Sequence, residues 1–310
     1  MTRKKMHESE LDIDEAAVGR LVARQFPYLS HAEVRAVDSS GTDNALFRVG
    51  DELVARIPRV EWASPQIEKE QRWLPLLAPR LSLSIPVPVA LGHPDQEVPW
   101  RWSLYRWLDG VNPTLISLAE PDTAARSVAR FIRELEAIDA TSGPTPGESG
   151  SDRGTKLMHR IDAVAGALAE CEGLIDTVLA RLVWLEALAA PEWAQPGVWI
   201  HGDIQPGNLL MVDGSIAAVI DWGCLGVGDP AVDLLVAWNL FSGKSRETFR
   251  KAIDVDEATW ARGRGWAISV GLIALPYYFH TNPALAEQSR QVINAVIADY
   301  CTRHGLVEAQ

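Results

Sequence analysis

Cysteine is scarce. Cys171, Cys224 and Cys301 are the three in 310 residues, too few and too far apart for a disulfide framework or a C-x-x-C zinc site, and a cytoplasmic location fits them. Neither G-x-x-x-x-G-K-[ST] nor G-x-G-x-x-G occurs, which excludes a P-loop enzyme as far as sequence can and removes the dinucleotide fingerprint. Long apolar runs are missing too. The most apolar stretch, 267–278, is too short to span a bilayer and contains Pro276. The first ten residues, M-T-R-K-K-M-H-E-S-E, are charged with no apolar run behind them, so no signal peptide is expected. Positive charge is in deficit: 29 Lys and Arg face 41 Asp and Glu, for a net of -12. That balance disfavours a nucleic-acid binder and suits a small cationic partner, although acidity for solubility alone explains it equally well. No internal repeat or low-complexity tract stands out.

Hydrophobic residues make up 47% of the chain, enough for a full core, and the length suits one large domain or two lobes. Residues 13–26 have the spacing of an amphipathic helix with Asp12 or Asp14 near its start. Strand patterns at 45–49 and 52–57 flank Gly50-Asp51 and predict a hairpin, with a further strand at 34–37. A helix follows over 66–77, strained at its end by Pro75. The segment 85–89 holds two prolines and cannot be a central strand. Residues 102–108 read as a strand that ends at Asp109-Gly110. Beyond it the pattern turns helical: 121–140, one or two helices over 157–189 broken near Gly173, and helix again from Pro230. Between them, 141–154 is a Gly-, Pro- and Ser-rich loop. The expected fold class is therefore α+β, with a strand-rich N-terminal lobe over 1–108 and a larger, mainly helical lobe over 109–310.

The chemistry concentrates in 199–233, W-I-H-G-D-I-Q-P-G-N-L-L-M-V-D-G-S-I-A-A-V-I-D-W-G-C-L-G-V-G-D-P-A-V-D. Asn208 stands five residues after Asp203 and Asp221 eighteen after it, with short apolar strand patterns at 208–212 and 217–220 between. Phosphoryl transfer from a nucleotide needs one carboxylate to face the attacking hydroxyl, and an amide oxygen and a second carboxylate to hold the metal on the triphosphate. Asp203 is the candidate base, and Asn208 and Asp221 are the candidate Mg²⁺ ligands. His201 is read as a support for the loop. Asp229 and Asp233, flanking Pro230, are read as favourable charges at a helix N-terminus. Any one of these has an ordinary explanation, since Asp beside Gly is usually a turn former; the set together does not.

Upstream, Arg56 on a strand and Glu70 on the following helix suggest an ion pair that holds a cation over nucleotide phosphates, with Glu68 as the rival partner. Arg replaces the Lys common in kinases, and its permanent charge and forked donors keep the role. The polar loop 39–44, with Ser40, Gly41, Thr42 and Asn44, suits a cover for the phosphates through backbone N–H groups and hydroxyls, or is a plain hairpin loop. Most of the twelve tryptophans are expected in the core, with Trp107 placed where an adenine could rest.

H-G-D-I-Q-P-G-N-L-L, I-D-W-G and G-D-P-A-V-D-L-L resemble the aminoglycoside phosphotransferase family, which shares the fold of protein kinases. S-S-G-T-D-N-A-L-F-R-V-G, L-V-A-R-I-P-R, E-K-E-Q-R-W-L-P-L-L-A and Y-R-W-L-D-G resemble its nucleotide loop, cation strand, helix and hinge. The resemblance covers roughly 35–240 and implies ATP or GTP as donor, Mg²⁺ as cofactor and a small-molecule hydroxyl as acceptor. It implies Asp203 as the catalytic Asp, Asn208 and Asp221 as metal ligands, and nucleotide contacts at the hinge residues Tyr105 and Trp107. Gln205 stands where the family often has His, and R-E-L-E-A-I-D lacks a His common at that point. The motifs describe the donor side. The acceptor, most simply an aminoglycoside, is otherwise one of a metabolic kinase (choline, homoserine or a sugar), and a nucleotide-binding pseudokinase is the non-enzymatic alternative. The expected partner is small, hydroxylated and cationic, with no nucleic acid or membrane, and the chain is expected as a monomer or homodimer.

Overall fold

The computed structural model describes residues 10–37, 43–113, 118–148 and 150–306. The chain divides into two compact units, Met1–Gly110 with Ala217–Gly223, and Val111–Ile216 with Cys224–Gln310.

The first unit opens with α1 (Glu15–Gln25), capped by the Asp14 side chain, which accepts from Ala17 N at 2.8 Å. Ala17, Val18, Leu21 and Val22 form its buried stripe. Strands β1 (Val34–Ala36), β2 (Asn44–Val49) and β3 (Leu53–Pro58) are followed by α2 (Ser64–Leu77), β4 (Pro88–Gly92) and β5 (Trp102–Arg106). The five strands form one antiparallel sheet in the order β1-β2-β3-β5-β4. The β2–β3 hairpin turns at Gly50-Asp51, as its sequence predicts, and alternation in β2 sends Ala45, Phe47 and Val49 inward. These residues join Val18, Leu21, Ile57, Trp102 and Leu104 in the core. β4 begins at Pro88 and lies at the sheet edge, where a missing N–H breaks no ladder. Pro75 sits in the last turn of α2, which still runs to Leu77.

The second unit is mainly helical: α3 (Pro121–Glu136), α4 (Ile161–Glu170) and α5 (Thr177–Ala189), then strand β6 (Val198–Ile200). Gly173 lies in the turn between α4 and α5 with φ +79°. Strand β7 (Leu209–Val212) follows, β8 (Ser215–Val219) leads into the segment that belongs to the first unit, and β9 (Gly226–Gly228) pairs antiparallel with β6. A 3₁₀ stretch, Pro230–Leu235, leads into α6 (Val236–Asn239), so the helix expected from Pro230 starts in the tighter form. α7 (Gly243–Ile253), α8 (Glu257–Tyr278) and α9 (Pro283–Arg303) complete the chain. The apolar stretch 267–278 is the second half of α8, which packs on α5, α9 and the 3₁₀ stretch. No helix among the described residues is long and apolar enough to cross a membrane.

Candidate active site

In the first unit, β3 carries Arg56 inward because its last four residues are buried, and α2 presents Glu70 on its buried face. Arg56 Nη1 donates to Glu70 Oε1, and Tyr105 Oη donates to Glu70 Oε2. The second Arg56 nitrogen, Nη2, donates to Asp221 Oδ1 at 3.0 Å and to Gln66 Oε1 at 3.4 Å. Glu70 is 1% exposed, so its charge is tolerated only because two donors meet it. Burial pulls the Arg56 guanidinium down, but Glu70, Asp221 and Tyr105 outweigh it and the net shift is upward. Burial raises the Tyr105 hydroxyl well above its usual value, with the Glu70 charge adding to it. Arg56 is thus permanently charged and held at a fixed point.

The structure brings Arg56, Glu70, Tyr105 and Asp221 together. Tyr105 is buried, and its polar tip is spent on Glu70. Trp107 lies apart from this cluster: its ring is covered by the Arg48 guanidinium at 4.1 Å, and its Nε1 donates to Asp109 at 2.8 Å. Asn44 opens β2 opposite Pro58, and its Oδ1 is buried without a hydrogen-bond partner among the described residues. Ser40, Gly41 and Thr42 lie outside the described residues. Glu68, the rival for Glu70, pairs instead with Arg101 at 3.1 Å, on an exposed face.

The segment 217–223 is tied into this unit by its backbone. Ser84 N donates to Ala217 O at 3.0 Å and Val219 N to Ser84 O at 2.9 Å. Lys69 Nζ donates to Gly223 O at 2.7 Å. Asp221 has φ +62°, a left-handed conformation that a non-glycine residue holds at a cost of the order of 1 kcal/mol. Such strain gathers where a side chain must be aimed, and half of the Asp221 side chain is open to solvent.

In the second unit, the loop after β6 presents Asp203. Its Oδ2 accepts from Gln205 Nε2 at 2.9 Å and from Asn208 Nδ2 at 3.0 Å, while Asn208 Nδ2 also donates to Asp203 O at 2.9 Å. The Asn208 amide nitrogen is therefore used within the loop, and its oxygen is the end left for a cation. Asn112 braces the turn beneath, donating to Gly207 O at 2.9 Å and Leu209 O at 2.8 Å.

The loop is held from below by Asp233. Its Oδ2 accepts from His201 N at 2.8 Å and its Oδ1 from Gly202 N at 2.6 Å, with the carboxyl fully buried. Burial pushes the Asp233 carboxyl up and Asp203 adds to it; His201 and the two backbone N–H groups oppose them, and the net shift is upward. Gly202 has φ +83°, and a Cβ there would stand 2.9 Å from Arg153 Cβ and 3.0 Å from Cys224 Cβ, so glycine is required. His201 supports the loop as its sequence suggests: Nδ1 accepts from Asp203 N at 3.2 Å.

Asp229 caps the 3₁₀ stretch, accepting from Ala231 N at 3.0 Å, in agreement with its reading as a helix-terminus charge. It is also clamped by Arg262, whose Nε donates to Oδ2 at 2.7 Å. Asp233 exceeds that reading. Its carboxylate is an anchor for a loop thirty residues upstream, a contact invisible in local pattern. Gln66, Asn112 and Arg153 were also missed, because single polar residues in loops and on helix faces carry no spacing signal.

No group of three or more His, Cys, Asp or Glu side chains forms a metal cage among the described residues. Mg²⁺ on a nucleotide is ordinarily held by one or two protein oxygens together with phosphates and waters, and a half-exposed carboxylate such as Asp221 in the first unit, or a carboxamide oxygen such as that of Asn208 in the second, is the kind of ligand it takes.

Residues 34–266 match the model of a phosphotransferase enzyme family. No curated protein sequence is significantly similar to the chain. Similar solved structures include the GDP complex of wild-type aminoglycoside 2'-phosphotransferase-IIIa, at 18% identity over 93% of this chain and 100% of that one, with a TM-score of 0.72. The GDP and kanamycin complex of an APH(2") enzyme is 19% identical over 91% of this chain and 98% of that one, with a TM-score of 0.70. The macrolide 2'-phosphotransferase MphH from Brachybacterium faecium is 23% identical over 91% and 98%, with a TM-score of 0.60. These likenesses establish the kinase-like fold expected from the sequence.

Proposed function

Because the chain belongs to the phosphotransferase enzyme family, we propose that it moves the γ-phosphate of ATP or GTP to a hydroxyl of a small molecule, most simply a cationic aminoglycoside-type compound. The observation that carries this reading is the clamped Asp203. Two amides hold its Oδ2, and an anchored loop carries it, so Oδ1 is the oxygen left to receive a proton. In the reaction the acceptor oxygen forms a bond to the γ-phosphorus as the bond to the β-phosphate oxygen breaks. The hydroxyl proton passes to Asp203, and the nucleoside diphosphate leaves. Arg56, held by Glu70, grips phosphate oxygens with its forked donors. Asn208 and Asp221 are the residues that would each offer an oxygen to Mg²⁺, and the ion would supply charge neutralisation for the triphosphate. An acceptor that is cationic is supported by the net charge of -12 and by the kanamycin bound to one structural relative.

The test is an acceptor panel (aminoglycosides, macrolides, choline, homoserine and sugars) incubated with Mg²⁺ and ATP or GTP and read by mass spectrometry for the gain of one phosphate. A phosphorylated aminoglycoside is the expected product. Phosphate on choline, homoserine or a sugar alone would replace the antibiotic assignment with a metabolic one. Nucleotide binding without transfer to any acceptor would favour a pseudokinase.

A further inference from the structure

Asp203 has a third neighbour that the phosphotransfer reading does not use. Arg153 Nη2 lies 3.5 Å from Asp203 Oδ1, the carboxylate oxygen that the amides of Gln205 and Asn208 leave free. The distance is that of an ion pair and not of a tight hydrogen bond, so Oδ1 keeps its lone pairs for a substrate proton. The Arg153 side chain is 16% exposed, and its Nη1 is buried with no hydrogen-bond partner among the described residues. A buried cation with an unspent donor weakens a fold, and such groups persist where they serve a site.

The loop that carries Arg153 is built to hold it still. Arg153 N donates to Ser151 Oγ at 3.2 Å, and Gly154 O accepts from Asp229 N at 2.9 Å. Gly154 has φ +77°, and a Cβ there would stand 2.4 Å from Ile200 Cδ1. Arg153 Cβ itself closes the space over Gly202. Asp229, to which the loop is strapped, is in turn fixed by Arg262. Burial draws the guanidinium down, but Asp203, Cys224, Asp152 and Asp233 outweigh it, so it remains charged.

We propose that Arg153 is a positioning residue that fixes Asp203 Oδ1 toward the acceptor hydroxyl and holds the carboxylate in its receiving orientation. The inference rests on the phosphotransferase reading of Asp203. Arg153 acts through that carboxylate, and its contribution belongs to kcat and not to nucleotide binding.

The test uses the full chain as wild type, Arg153→Met and Arg153→Lys, with Mg²⁺ and GTP or ATP. Two acceptors are compared: water, read as released phosphate, and kanamycin, read as phosphorylated product. Met should lower kcat roughly 10–100-fold with either acceptor and leave the nucleotide KM within about twofold. Lys restores one charge at ion-pair range and should bring kcat back to within about fivefold of wild type. Equal losses in the Met and Lys variants, or a Met variant with wild-type kcat, would overturn the proposal. If the Met variant does not fold, Arg153→Gln takes its place in the same comparison with Lys. A wild type that binds nucleotide but transfers phosphate to neither acceptor brings down the underlying reading as well. An active wild type with an unchanged Met variant removes this inference alone.

Discussion

Glu136→Gln should flatten the pH dependence of stability and raise stability above neutral pH. Glu136 ends α3, where its Oε1 is buried without a hydrogen-bond partner among the described residues. Burial pushes its carboxyl from 4.5 up to about 8, with the charges of Asp233 and Asp229 adding to the shift and Arg133 opposing it. The folded chain therefore keeps a proton that the unfolded chain has released between pH 4.5 and about 8. Stability from this group is fully present below pH 4.5 and is lost as pH rises through about 8. The full difference is about 3.5 pH units at ~1.4 kcal/mol each, so of the order of 5 kcal/mol as an upper value. Asp233 is shifted the same way, so the proton is best assigned to the pair, and the part that Gln removes is smaller. Between pH 6 and 8 a single retained proton gives a slope worth about 2 kcal/mol. Gln mimics the protonated acid and should remove that slope. Urea unfolding of both chains at pH 6, 7 and 8 measures it. Parallel curves for the two would show that Glu136 is ionised in the folded protein and refute the argument.

Arg56→Ala should raise the nucleotide KM by about 2–3 kcal/mol, or roughly 30–150-fold, because a charged, forked contact is lost. It should also destabilise the apo chain by about 3–5 kcal/mol, since Glu70 keeps a buried charge without its cation. Unchanged nucleotide KM and kcat would place Arg56 outside the site. Asp233→Ala removes the acceptor for the N–H groups of both His201 and Gly202 and should destabilise the chain by about 2–6 kcal/mol in urea unfolding. A variant as stable as wild type would show that Asp233 is not the anchor of the loop.

The parts legible in the sequence are those written in periodicity and in short motifs. The β2–β3 hairpin is set by alternation around Gly50-Asp51, and α3 by apolar spacing with Pro121 at its start. The pairing of Arg56 with Glu70 and not Glu68 was a choice between residues two positions apart on one helix. Burial decides it, since Glu70 faces the sheet and Glu68 faces solvent. Asp203, Asn208 and Asp221 are visible because their spacing is fixed by local loops and strands. Asp233 and Arg153 are not, because their partners are contacts made only after folding. Arg153 is hidden further by its place in a stretch whose Gly, Pro and Ser content reads as a loop. Tyr105 is expected at the nucleotide hinge, and its hydroxyl donates to Glu70, a contact that local sequence pattern does not show. A strand residue can face either way, and the sheet register sets which.

The most direct measurement is γ-phosphoryl transfer by wild type and Asp203→Asn, with nucleotide affinity recorded in parallel. Asn keeps the shape of the side chain but cannot take the acceptor's proton. Turnover should fall by about 10²–10⁴-fold while nucleotide affinity stays within about twofold. An Asn variant as active as wild type would contradict the assignment of the proton to this carboxylate.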